Sequence, residues 1–145
     1  MARFPDPVAG LVIRYAYLWR DEYERGRQEG VKDRPCAIIL AIRSGDGDLT
    51  VTVLPVTHTP PADPDLAVEI PARTKARLGM DDARSWIVVT EANRFVWPGP
   101  DLRPARAGDA ASVALGLLPR GLYNKVKRKL IAAWRAGGER LTPRE

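Results

Sequence analysis

Arg34 stands between an aspartate and a proline, directly ahead of the apolar run Cys36 to Ile42. A second apolar run, residues 49 to 56, leads straight into Thr57 and His58. Paired as neighbouring strands, the two runs would set the arginine at the entry of one beside the threonine at the exit of the other. A guanidinium offers forked N–H donors that match phosphate oxygens, and an adjacent hydroxyl can complete the cradle. Histidine is the side-chain type that ordinarily titrates near neutrality, which makes His58 a candidate proton carrier; Glu29 is a second. Lys32 and Arg94 are candidate contacts to a polyanion. Such a set suits attack on a phosphodiester, in which a proton is taken, a charged phosphorane is stabilised and a proton is returned to the leaving oxygen.

Each residue also has a plainer reading. A charge ahead of a strand is commonly a solvated gatekeeper, and a threonine before prolines commonly bonds the backbone. Strand alternation points His58 away from Thr57, as an exposed turn residue, unless the strand has already ended. Arg94 can contact phosphate or pair with Glu91. Pro35 would fix where the strand begins and hold Arg34 at its rim with the head group free.

The elements that position these residues are mostly strands. Residues 11 to 19 are rich in β-branched and aromatic side chains and read as a strand. The polar stretch 20 to 34 links it to the strand 36 to 42, a long connection of the kind that is commonly functional. "RSGDGD" at 43 to 48 is a tight-turn sequence, and 49 to 56 returns as the hairpin partner. Asp46 and Asp48 lack the further oxygen ligands of a calcium loop. A short strand at 66 to 70, a two-turn helix over 71 to 79, a strand at 85 to 91 and another at 94 to 97 follow. A Pro/Gly-rich stretch then precedes a helix over about 119 to 136. There Leu122, Val126, Leu130 and Trp134 form an apolar stripe, with Lys125, Lys127, Arg128 and Lys129 mainly off it. The expectation is an α+β, β-dominated fold: a small curled sheet or barrel, core about 8–97, with a short inserted helix and a basic amphipathic helix beyond it.

Composition narrows the class. A chain of 145 residues fits one domain, residues 1–145, and a net charge of +5 favours an acidic partner, nucleic acid or polypeptide. With one cysteine and one histidine a zinc site of the usual ligands cannot be assembled, so no metal is expected. Cys36 reads as a buried structural thiol. The longest apolar run is far short of a membrane span, and "MARFPDPVAG" has prolines where a secretory signal has its apolar segment, so a cytoplasmic location is expected. Phosphate-loop, dinucleotide and nucleophile-elbow motifs are absent from the sequence, and no cofactor is expected.

The succession "GLVIRYAYLW", a polar glycine-bearing loop, "RPCAIIL", "VTVLPVTHTPP" and "SWIVVTEANRF" resembles the MazF/PemK-like toxins of type II toxin–antitoxin systems over roughly residues 8 to 97. The Arg-Pro-apolar and "PVT" segments are its most specific parts. The resemblance implies an SH3-like barrel, a homodimer, and cleavage of single-stranded RNA without metal, neutralised by an antitoxin polypeptide. The family's catalytic arginine falls on Arg34 and its catalytic threonine or serine on Thr57. A different class stays open: a non-catalytic binder on the same fold, gripping a topoisomerase-type target or holding RNA without cutting it. Trp19, Trp86 and Trp97 are expected in packing, and Trp19, Trp97 and the helix stripe are expected to exceed what one small core can hide, which favours a symmetric dimer.

Overall fold

The structure, a computed structural model, describes residues 3–27 and 32–144. In chain order the elements are β1 (Leu11–Tyr15), α1 (Arg20–Glu24), β2 (Arg34–Arg43), β3 (Leu49–Thr57), a 3-10 turn (Pro64–Leu66), β4 (Ala67–Glu69), α2 (Ala72–Arg77), β5 (Trp86–Val88), β6 (Glu91–Val96), β7 (Ala114–Leu117), α3 (Arg120–Arg135) and β8 (Arg140–Pro143). This is a β-dominated α+β fold. Its eight strands form one sheet, ordered β4-β5-β3-β2-β1-β7, with β6 beside β3 and β8 beside β6. Pairing is antiparallel except for β6 with β8, which run parallel.

The β2–β3 hairpin forms where turn chemistry and alternation agree. Gly47 takes φ of +92°, a left-handed conformation that glycine enters without penalty, and the Asp46 side chain accepts from the Asp48 amide at 3.0 Å. The Ser44 hydroxyl bonds the same carboxyl and holds it below the usual carboxylate range. From there the strands pair back to Cys36 opposite Pro55. β3 is long enough for two partners: Thr50 to Val53 pair with β6, and Val56 and Thr57 pair with β5.

Successive residues of these strands feed two cores on opposite faces. Val12, Ala37, Leu54 and Val56 join a cluster with Ile87, Val126 and Leu130, while Ile13, Ile38 and Val53 join one with Tyr15, Val51 and Phe95. The α3 stripe behaves as its spacing predicts. Val126 and Leu130 are buried, and the Trp134 indole donates to the Val89 carbonyl at 2.8 Å. Each such fully buried aliphatic side chain contributes about 1.5–3 kcal/mol.

Six expectations need correction. The first strand stops at Tyr15, because residues 16 to 19 turn to meet β6: the Leu18 amide donates to Asn93 Oδ1 at 2.9 Å, and Asn93 Nδ2 donates to the Leu18 carbonyl at 2.8 Å. The linking stretch after it begins with α1, and the fifth strand is only Trp86–Val88. The Pro/Gly-rich stretch ends in β7, which pairs with β1. The ladder does not close into a barrel, since β4 and β7 are its two ends. Between those ends sits α2, whose Arg77 Nη2 donates to the Leu117 carbonyl at 2.6 Å. Gly116 permits that approach: a Cβ there would lie 2.7 Å from Leu78 Cδ2. Finally, the apolar surplus lies elsewhere than expected. Trp19, Trp97, Leu122 and Trp134 all pack against the two cores, and the exposed apolar side chains are instead Leu40, Ile42, Val96, Leu117 and Ile131 among others.

Candidate functional site

The hairpin register decides what Arg34 meets. The β2–β3 pairs run from Arg43 opposite Leu49 back to Cys36 opposite Pro55, which leaves Arg34 and Thr57 beyond the last pair at the same end of the hairpin. Both line a cleft of about 260 Å³ together with Arg14, Lys32, Asp33 and His58 from the strand ends, and Met80, Asp81 and Ser85 from the segment between α2 and β5. Four of the sequence candidates therefore share one site: Lys32, Arg34, Thr57 and His58.

Arg34 is held more firmly than a solvated rim residue would be. Its Nη1 donates to the Val56 carbonyl at 3.1 Å, and its guanidinium carbon lies 5.0 Å from the Trp19 ring centroid. Trp19 is in turn fixed by the turn of residues 16 to 19 against Asn93 and by its amide bond to Glu22 Oε1 at 3.1 Å. Arg34 Nε is buried and has no hydrogen-bond partner. A buried donor left unmet costs about 1–3 kcal/mol.

Thr57 shows the backbone role and leaves room for a second. Its Oγ1 accepts from the Thr59 amide at 3.2 Å, so the hydroxyl's own proton is still there to donate. His58 is exposed beyond the strand, and its Nε2 lies 2.8 Å from Asp81 Oδ2. The other Asp81 oxygen accepts from Lys75 Nζ at 2.7 Å. That bond, with His58 adding to it, holds the Asp81 carboxyl below the usual carboxylate range. Of the other acid in the cleft, Asp33, one oxygen lies 3.4 Å from Arg103 Nε. With both carboxylates tied to cations, Arg14, Lys32 and Arg34 give the cleft a positive balance.

One other candidate falls outside it. Arg94 projects from β6 into a separate and larger groove of about 410 Å³ between the sheet and α3, with Leu40, Ile42, Lys127, Leu130 and Ile131. It does not pair with Glu91, which accepts instead from the Tyr17 hydroxyl at 3.0 Å and the Arg20 amide at 3.2 Å. Glu29 lies outside the described residues. Cys36 is fully buried, and burial pushes its thiol far up, so it is the structural thiol expected. Sequence reasoning missed Asp81, Lys75 and Ser85. A signal was present: Lys75 precedes Leu78 by three, so a lysine shares the buried face of a short helix and must have partners there.

No protein-family model matches the chain, and comparison with curated protein sequences gives no significant match.

Proposed function

We propose that the chain is an endoribonuclease of the MazF/PemK toxin kind, cleaving single-stranded RNA without a metal ion, its curled sheet being the open form of an SH3-like barrel. One observation carries the reading: Arg34, with a buried N–H lacking a partner, lines the same cation-rich cleft as Thr57. In the proposed reaction the RNA 2′-oxygen attacks the adjacent phosphorus while its proton passes to a base in the cleft. The phosphorus–O5′ bond then breaks and O5′ gains a proton, leaving a 2′,3′-cyclic phosphate and a 5′-hydroxyl. Arg34 and the Thr57 hydroxyl donate to the equatorial oxygens, where charge accumulates. Lys32 and Arg14 hold the flanking phosphates. His58 is the proton carrier.

The groove against α3 supports the partner side of the proposal. Leu40 and Ile42 are about half exposed on β2, with Ile131 across the groove. Burying that face in a symmetric dimer would set two clefts on one assembly. A cognate antitoxin, acidic and disordered until bound, would complement the chain's positive charge, and a cytoplasmic setting fits this reading. The same groove also favours a second reading, a non-catalytic toxin-fold binder that grips a protein target such as a topoisomerase. Incubation with a mixed RNA pool in EDTA separates the two. Discrete fragments with cyclic phosphate ends are expected. Intact RNA, or cleavage that EDTA abolishes and magnesium restores, would overturn the nuclease.

A further inference from the structure

We propose that Asp81, clamped by the buried Lys75, sets the tautomer of His58 and makes Nδ1 the proton-accepting atom of the cleft. The nuclease reading supplies the proton that Nδ1 would take; the tautomer itself follows from the protein alone.

Lys75 is 3% exposed, on the inner face of α2. Its ammonium has three acceptors for its three protons: Asp81 Oδ1 at 2.7 Å, Ser85 Oγ at 2.6 Å and the Ala83 carbonyl. An ammonium so satisfied fixes Asp81 as a carboxylate and fixes its orientation, Oδ1 inward and Oδ2 outward. Oδ2 lies 2.8 Å from His58 Nε2. An ionised carboxylate can only accept, so the ring nitrogen must donate. A neutral His58 then carries its one ring proton on Nε2 and its lone pair on Nδ1. The imidazolium formed when Nδ1 takes a proton is stabilised by the same carboxylate. Asp81 and Lys75 are therefore positioning residues acting through His58.

The clamp has an uncommon consequence. In Asp81→Asn, Lys75 still needs an acceptor, so the new amide must turn its oxygen inward. Its NH₂ then faces His58 Nε2, which can only accept from it, and the ring proton is driven onto Nδ1. The isosteric variant thus blocks the acceptor atom. Asp81→Ala, which imposes no tautomer, leaves Nδ1 available. Asparagine should be the more damaging substitution, the reverse of what a merely structural ion pair predicts.

His58 is the one histidine in the chain, so ¹⁵N-histidine labelling gives a single imidazole to observe. The spectrum of the folded, RNA-free protein is expected to show protonated Nε2 in the wild type and protonated Nδ1 in Asp81→Asn. Protonated Nδ1 in the wild type, or the same tautomer in both, would overturn the proposal. In EDTA, Asp81→Asn is expected to cleave RNA at least about a hundredfold more slowly than wild type, and more slowly than Asp81→Ala. An inverted tautomer with undiminished cleavage would remove Nδ1 from the reaction while leaving the nuclease reading intact. A wild type that cleaves no RNA would refute that reading, with the spectra still deciding the tautomer.

Discussion

Replacing Arg34 by alanine separates catalysis from stability, because its contacts in the folded state oppose one another. The charged donor on the Val56 carbonyl is worth about 1.5–3 kcal/mol, and the contact with Trp19 adds about 0.5–1 kcal/mol. Against them stands the buried Nε with no partner, a cost of about 1–3 kcal/mol that the substitution removes. The balance centres near about 1 kcal/mol and stays under about 3 kcal/mol, a Tm fall of roughly 2–4 °C at its centre for a chain of this size. In the proposed reaction the same side chain would donate to the phosphorane in the transition state. Its loss should lower the cleavage rate by more than about a hundredfold, roughly 2.7 kcal/mol. Arg34→Lys keeps the charge but not the fork, and should behave nearer to alanine than to wild type. Single-turnover cleavage of an end-labelled RNA in EDTA, beside a thermal melt, measures both quantities. A variant cleaving within about tenfold of wild type, or one with no melting transition, would refute the assignment.

Asn93→Ala removes the partner of both Leu18 backbone groups and one of the two acceptors of Arg144 Nη1, and should cost roughly 3 kcal/mol, read as a Tm fall of about 6–12 °C. Burial raises the Glu91 carboxyl above its ordinary range, so the native state binds that proton more tightly than the unfolded chain does. Stability from this group is present below the ordinary carboxylate range and declines as pH rises through the raised value; Glu91→Gln should flatten that decline in urea midpoints measured against pH. For association, Ile42→Glu should convert a homodimer to monomer in light scattering at micromolar concentration without loss of the fold, since Ile42 is 54% exposed. A wild type that is monomeric throughout that range would remove the dimer.

The central hairpin and α3 were legible because local chemistry and tertiary demand agree there: alternation, the Gly47 turn and a four-residue apolar stripe each point one way. The same hairpin brings Arg34 and Thr57 to one end of the sheet, where both line the cleft. What escaped the sequence is held by distant partners. The polar α1 has no buried face, and it is tied at its start by Glu22 and to β8 by Arg140 on Asp21 at 2.5 Å. The strand "RLTP" shows no apolar alternation, and it is a strand because β6 offers it an edge. Asp81 looked like one more loop acid in "GMDDAR", and its role arises only where α2 brings Lys75 under it. The tryptophans misled in the other direction, since side chains counted as surplus found room in a second core behind the sheet.

The parallel strand β8 imposes an order of assembly. It joins β6 some fifty residues after β6 is made, and Arg144 reaches back to the Ala16 carbonyl at 3.0 Å and to Asn93 Oδ1 at 2.9 Å. During synthesis β6 therefore carries a bare edge, and the turn holding Trp19 against Arg34 lacks its last support, until residue 144 has emerged from the ribosome. Contacts so far apart in sequence are also the slowest to form. A nascent chain would thus hold Arg34 poorly seated until β8 has docked, so that any activity resting on Arg34 would arrive with the last strand of the sheet.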